Sequence, residues 1–179
     1  MTNTPATELT VAAIDRLDDP VLLSGLEALL EDAVASGASL GYHAPLPPAL
    51  NRAFWTGVDR QLADGAHRLL VALGPDGAVV GSVQLALCAK PNGLHRGEVQ
   101  KLLVHTGHRG RGVARRLMAE LETMARGLGR SLLVLDTLRG DVGEPFYERT
   151  GWLRAGEIPG YTVEADGSRH ATVLFYRNI

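Results

Sequence analysis

The chain has 179 residues, 45% of them hydrophobic, and a formal net charge of −2 at pH 7. That size suits one domain spanning residues 1–179, and the slight negative charge gives no global attraction for nucleic acid or an anionic membrane. One cysteine, Cys88, excludes an internal disulfide and any cysteine-rich metal site, and its strand-like setting in "VQLALC" reads as a small buried apolar residue.

Residues 1–8 read as a flexible start, with no basic segment and apolar core of a secretory signal. No run approaches the roughly 20 apolar residues of a membrane span, so a cytoplasmic protein is expected. "ELTVAAIDRL" reads as a first strand beginning at Glu8. Asp18 or Asp19 then serves as a helix N-cap with Pro20 at the first helical position. Leu22, Leu26, Leu29, Leu30, Ala33 and Val34 recur at helical spacing up to Gly37, a helix stop. "GASLGYHAPLPP" is a loop by its glycine and proline content. A second helix starts near Pro48, with Leu50, Phe54, Val58 and Leu62 on one face.

Strands follow. "HRLLVAL", the turn "GPDG" and "AVVGSVQLAL" form an antiparallel hairpin. "EVQKLLVH" is a strand, and a helix carrying Val113, Leu117, Leu121, Met124 and Leu128 comes after it. "RSLLVLDT" is a strand apolar on both faces, "GEPFYERTG" a short helix, and "WLRAGEIPGY" and "ATVLFYR" the last strands, joined by a turn at "EADG". The order predicts a mixed α/β fold on one sheet with helices on its faces.

The stretch Val99 to Met118, "VQKLLVHTGHRGRGVARRLM", holds five Lys or Arg and no Asp or Glu. A strand runs into glycines and then a helix, whose first N–H groups lack helical partners and carry the positive end of the macrodipole. Gly110 and Gly112 let the backbone approach an anion without a Cβ clash. Arg109 and Arg111 can add charge-assisted hydrogen bonds, with Arg115 or Arg116 a turn further on. No Walker A or GxGxxG pattern is present. His105 and His108 flank this loop and read as solvent-exposed. No His, Cys or carboxylate cluster has ligand spacing, so no metal site is expected.

Arg109-x-x-Gly112-x-Ala114 resembles the Arg/Gln-x-x-Gly-x-Gly/Ala signature of the GNAT acyltransferases, and "FYERTGW", Phe146 to Trp152, is similar to that family's second landmark. Within the superfamily, "GASLGY", "EVQKLLV", "LLVLDT" and "GEIPGYTVEADGSRH" resemble tabtoxin-resistance-type acetyltransferases. The resemblance implies a strongly twisted mixed sheet of about seven strands with about four helices on its faces, splayed between the fourth and fifth strands. It implies an acetyl-CoA-dependent N-acetyltransferase acting on the primary amine of a small molecule, of amino-acid-like toxin or antibiotic kind. Acetyl-CoA would lie in the splay, held by Leu102, Leu103, Val104, Arg109, Gly110, Arg111, Gly112, Val113, Ala114 and Phe146. One strand N–H would polarise the thioester carbonyl. Tyr147 matches the general acid that protonates the leaving thiolate.

Glu98 opens the loop-bearing strand and Asp136 ends the next, and matching acids in the resembled proteins serve as base and substrate anchor. Two carboxylates beside one cleft favour a cationic acceptor. Tyr42, His43, Trp55 and Tyr161 are candidates for the acceptor pocket. "RGD" at Arg139 to Asp141 is read as coincidence. A non-catalytic acetyl-CoA sensor and a protein-amine acetyltransferase are the alternatives. Nucleic acid and membrane are not expected partners, and the resemblance leaves room for a homodimer.

Overall fold

The computed structural model describes residues 9–164 and 166–179, and within them the elements keep the order read from the sequence. They are β1 (Thr10–Ile14), α1 (Pro20–Ala35), α2 (Pro48–Ala63), β2 (His67–Leu73), β3 (Val79–Leu87), β4 (Arg96–Val104), α3 (Val113–Gly127), β5 (Leu132–Leu138), α4 (Gly143–Arg149), β6 (Leu153–Val163) and β7 (Arg169–Asn178). The flexible start assigned to 1–8, the Glu8 start of the first strand and Ala165 of the "EADG" turn lie outside the described residues. The seven strands form one sheet in the order β1-β2-β3-β4-β5-β7-β6. Among the described residues only β4 and β5 pair in parallel, and α3 makes the crossover that a parallel pair requires.

The helices start and stop for local reasons. Asp19 Oδ1 accepts from Val21 N at 2.8 Å, Pro20 occupies the first turn of α1, and Gly37 closes its end at φ +85°. Leu26, Leu29, Leu30, Ala33 and Val34 then face inward. The buried face of α2 is rotated from the expected one. Asn51, Trp55, Val58 and Leu62 are buried, whereas Leu50 is 51% exposed. Trp55 offers the larger apolar area, and Asn51 is admitted because its Nδ2 donates to Glu27 O at 2.8 Å. Together α1 and α2 cover one side of the sheet over Leu69, Val71 and Leu103. On the other side, Val113, Leu117, Leu121 and Ala125 of α3 pack with Val83, Leu85, Val99, Leu133 and Phe175.

The parallel pair is short. Its register runs Arg96↔Leu132, Gly97↔Leu133 and Glu98↔Val134, and no pair is formed beyond it. β4 continues to Val104 against β3, while β5 continues to Leu138 against β7, so the two strands part and a cleft opens between their carboxyl ends. Leu133 and Leu135 are buried, but Leu132 and Val134 are half-buried and Asp136 is exposed. The strand expected to be apolar on both faces therefore has one buried face and one half-buried face that ends at Asp136 in the cleft.

β4 also carries a bulge. Its register with β3 passes from Gln84↔Gln100 to Ser82↔Leu103, so Lys101 and Leu102 together face Val83. Lys101 has φ +50°, the one positive φ at a non-glycine among the described residues.

Two glycines test this packing in opposite directions. A Cβ on Gly81 would lie 2.9 Å from Leu103 O and 3.0 Å from Val113 Cγ1, wedging α3 off the sheet. Gly81→Ala should cost about 1–3 kcal/mol by urea unfolding. Gly57, inside α2, has nothing within 4 Å of its Cβ position, so Gly57→Ala should gain up to about 1 kcal/mol.

Candidate active site

The cleft has a volume of about 1160 Å³ and is walled by the end of α1 and its following loop, by β4 and β5, by the loop into α3, by α4, and by Tyr161, Thr162 and Thr172. Its two ends differ in charge. At one end the chain leaves β4, makes a short turn over Thr106–His108, and enters α3 through Gly110 at φ +74° and Gly112 at φ +82°. Gly112 is the N-cap and offers no side chain to the first N–H groups, and no acidic residue stands in the first turn. A Cβ at Gly110 or Gly112 would meet no atom within 4 Å, so glycine is favoured there by the left-handed backbone conformation and not by crowding. His108, Arg109, Gly110, Gly112, Val113, Ala114 and Arg115 line this end, whereas Arg111 is exposed and outside the lining.

The loop is fastened to α1. Asp32 accepts from Thr106 N at 2.8 Å and from Thr106 Oγ1 at 2.7 Å. Arg109 donates through Nε to Val104 O at 3.2 Å and through Nη2 to Ser36 Oγ at 2.7 Å. Its guanidinium thus ties β4 to the end of α1, and the N–H groups of α3 are what faces the open cleft. His105 Nδ1 accepts from Gly107 N at 3.1 Å, which fixes that ring as part of the turn.

The other end collects acids. Glu98 and Asp136 both line the cleft. Gln100 Nε2 donates to Glu98 Oε1 at 2.8 Å. The buried Thr172 hydroxyl lies 2.8 Å from Asp136 Oδ2. Asp141 joins them from the loop before α4, so one residue of the "RGD" triplet belongs to the cleft.

Lys101 brings a cation close to Asp136. Its Nζ donates to Leu40 O at 2.7 Å and sits 5.9 Å from the Phe54 ring centroid. Burial lowers its pKa, and the charge of Asp136 pulls the other way. Tyr147 is buried with 7% exposure, its ring packed on Phe146, Trp152 and Phe175 at centroid distances of 5.3, 5.8 and 5.8 Å. Burial, then Asp136 and Asp141, push its phenol well above the usual phenol range, so it holds its proton at neutral pH.

The structure brings Glu98, Leu102, Leu103, Val104, Asp136, Phe146 and Tyr147 to one cleft with the glycine loop. Of the aromatic acceptor candidates, Tyr161 lines it, Trp55 is fully buried under α2, and Tyr42 and His43 stand outside the lining. Cys88 is half-buried with its Sγ 3.5 Å from Arg96 Nη2, at a strand end rather than in the core. Sequence reasoning missed Lys101, Thr172 and Asp141. Lys101 had a visible signal, a lysine inside the apolar run "VQKLLV" of a chain with only two lysines.

The acetyltransferase (GNAT) family model matches residues 28–152. The chain is 33% identical over 132 residues to an uncharacterised N-acetyltransferase of the hisH–hisA intergenic region of Azospirillum brasilense, covering 73% of this chain and 76% of that one. Its fold is similar to that of a candidate phosphinothricin N-acetyltransferase, with a TM-score of 0.76 at 22% identity, over 96% of this chain and 98% of the other. It is also similar to a candidate acetyltransferase of Salmonella typhimurium solved with its cofactor acetyl-CoA, with a TM-score of 0.74 at 19% identity, over 95% and 93% of the two chains.

The Asp32 fastening has a pH signature. Burial acts to raise the Asp32 pKa, but the two Thr106 hydrogen bonds and the charges of His105 and Arg109 outweigh it and hold the carboxyl below its ordinary 3.8. A carboxyl depressed by folding stabilises above its unfolded value and loses that contribution as pH falls through its folded value. Asp32→Asn should therefore be less stable than the parent at pH 7. The gap should close as pH falls below the ordinary carboxyl value of 3.8, in urea unfolding at a series of pH values.

Proposed function

The chain belongs to the GNAT acetyltransferase family, and from that premise we propose that it transfers the acetyl group of acetyl-CoA to the primary amine of a small molecule. The observation that carries the reading is the helix start without a side-chain cap, set at the mouth of the strand splay with an acidic cluster at the far end of the same cleft. The N–H groups of Val113 and Ala114, the glycine backbone at 110 and 112 and the exposed Arg111 and Arg115 suit a pyrophosphate. Leu102, Leu103, Val104 and Phe146 suit the pantetheine arm. Acetyl-CoA bound there supplies an activated acetyl thioester.

The chain's own groups have separable tasks. The bulge takes Lys101 and Leu102 out of the regular ladder, which frees main-chain N–H to polarise a carbonyl oxygen in the splay. Glu98 and Asp136 attract an ammonium, and one of them accepts its proton so that the neutral amine can attack. Gln100 and Thr172 orient the two carboxylates. Tyr147 Oη keeps a proton for the leaving sulfur. The acceptor is amino-acid-like, of toxin or antibiotic kind; the fold's likeness to a candidate phosphinothricin N-acetyltransferase supports that direction. The protein works as one unit in the cytoplasm, alone or as a homodimer.

A panel of primary amines incubated with acetyl-CoA, read by free-thiol release and product mass, tests the reading. At least one small amine should be acetylated. Binding of acetyl-CoA with no amine turned over would favour a sensor instead. On the best amine, Tyr147→Phe should lower kcat by about 10²–10⁴-fold with acetyl-CoA affinity retained. Glu98→Gln and Asp136→Asn should each lower kcat/KM for the amine, and the loss should shrink at high pH in the variant that lacks the base. Parent rates in all three would contradict these roles.

A further inference from the structure

Three polar ties run along the end of α1 and out into the loop that follows. Asp32 holds Thr106, Ser36 holds Arg109, and Leu40 O holds Lys101 Nζ at 2.7 Å. The first two meet the turn that leads into α3, at the cofactor end of the cleft. The third meets the bulge of β4, on the side of Asp136, and both Leu40 and the adjacent Gly41 are cleft wall.

Lys101 is thus joined to the cleft in two ways. Its backbone forms the bulge in a left-handed conformation that is strained for a non-glycine residue and persists only where the surroundings hold it. Its side chain is held by the Leu40 carbonyl, by the Phe54 ring at 5.9 Å and by the nearby Asp136 carboxylate. Gly41 at φ +82° and Gly37 at φ +85° bracket the loop segment; between these permissive joints the Leu40 side chain packs on the α1–α2 core, and the Lys101 tie holds its carbonyl.

We infer that Lys101 is a positioning residue for the acceptor: its ammonium pins the loop at Leu40 and Gly41 against the bulged strand and so sets the wall against which the amine is placed. The ties at Asp32 and Ser36 serve the cofactor end instead. The inference rests on the reading that the amine enters beside Glu98 and Asp136. It adds a division of labour along one helix and its extension, in which the ties separate cofactor affinity from acceptor placement.

Backbone ¹⁵N order parameters of the full chain with acetyl-CoA bound test the tie without any acceptor. Lys101→Met should lower the values at Leu40 and Gly41 from the rigid range near 0.85 toward about 0.6. Calorimetric acetyl-CoA affinity should change by less than about twofold. Lys101→Arg, which keeps the charge and a donor, should restore the rigidity. Ser36→Ala should do the reverse, weakening acetyl-CoA about fivefold while Leu40 and Gly41 stay rigid. With the amine that turns over fastest in the panel, Lys101→Met should raise the amine KM about fivefold or more and leave the acetyl-CoA KM unchanged. Should Lys101→Met not fold, Lys101→Gln, one bond shorter, carries the same measurements. Unchanged order parameters at Leu40 and Gly41, or an equal loss of acetyl-CoA affinity, would overturn the inference. Because the relaxation arm needs no amine, its failure is distinct from the failure of every amine in the panel, which would overturn the acceptor reading.

Discussion

Parallel pairing between β4 and β5 stops after Glu98 and Val134, and the rest of the site depends on that interruption. A continuous parallel pair would satisfy the main-chain groups of both strands and leave no gap. Here each strand keeps its antiparallel neighbour, β3 or β7, and the two halves of the sheet part company. The twist that neighbouring strands impose on one another widens the gap with distance from the last shared pair. Into the gap face the bulge at Lys101 and Leu102, the start of α3 and the ring of Tyr147, each supplied by an element that the core holds in place.

The resulting cleft is polarised. Its α3 end presents main-chain N–H groups and arginines and suits an anion. Its opposite end holds Glu98, Asp136 and Asp141 and suits a cation. Tyr147 belongs to both the aromatic core and the cleft wall. The packing that fixes its ring also raises its pKa, so position and the strength with which the phenol holds its proton share a cause. Lys101 repeats the pattern on the acidic side, where one residue supplies the distorted backbone and the contact that holds it.

Much of this was legible in the residues. Element order followed from periodicity and from strong punctuation, such as Pro20, Gly37 and the Gly110–Gly112 loop. The resemblance carried by Arg109 to Ala114 and by Phe146 to Trp152 led to the family whose model spans 28–152. The parts that were not legible depend on strand partners distant in sequence. That Thr172 reaches Asp136, or that Lys101 reaches Leu40, follows from pairing and helix placement across many residues. The face of α2 was misread because leucine spacing competed with Trp55, and burial of the larger ring decided the rotation. A bulge leaves no composition signal of its own, although the lysine inside "VQKLLV" was a trace of it.

The central claim is that the splay between β4 and β5, closed at one end by the start of α3, is a binding cleft for acetyl-CoA. Amide chemical-shift mapping during an acetyl-CoA titration tests it most directly, since each backbone N–H reports its own surroundings. The account predicts that the largest shifts fall on residues 101–104 and 110–115, with smaller ones at Phe146 and Tyr147 and none along β1 or β2. Shifts concentrated on any other face, with residues 110–115 unmoved at saturation, would contradict it.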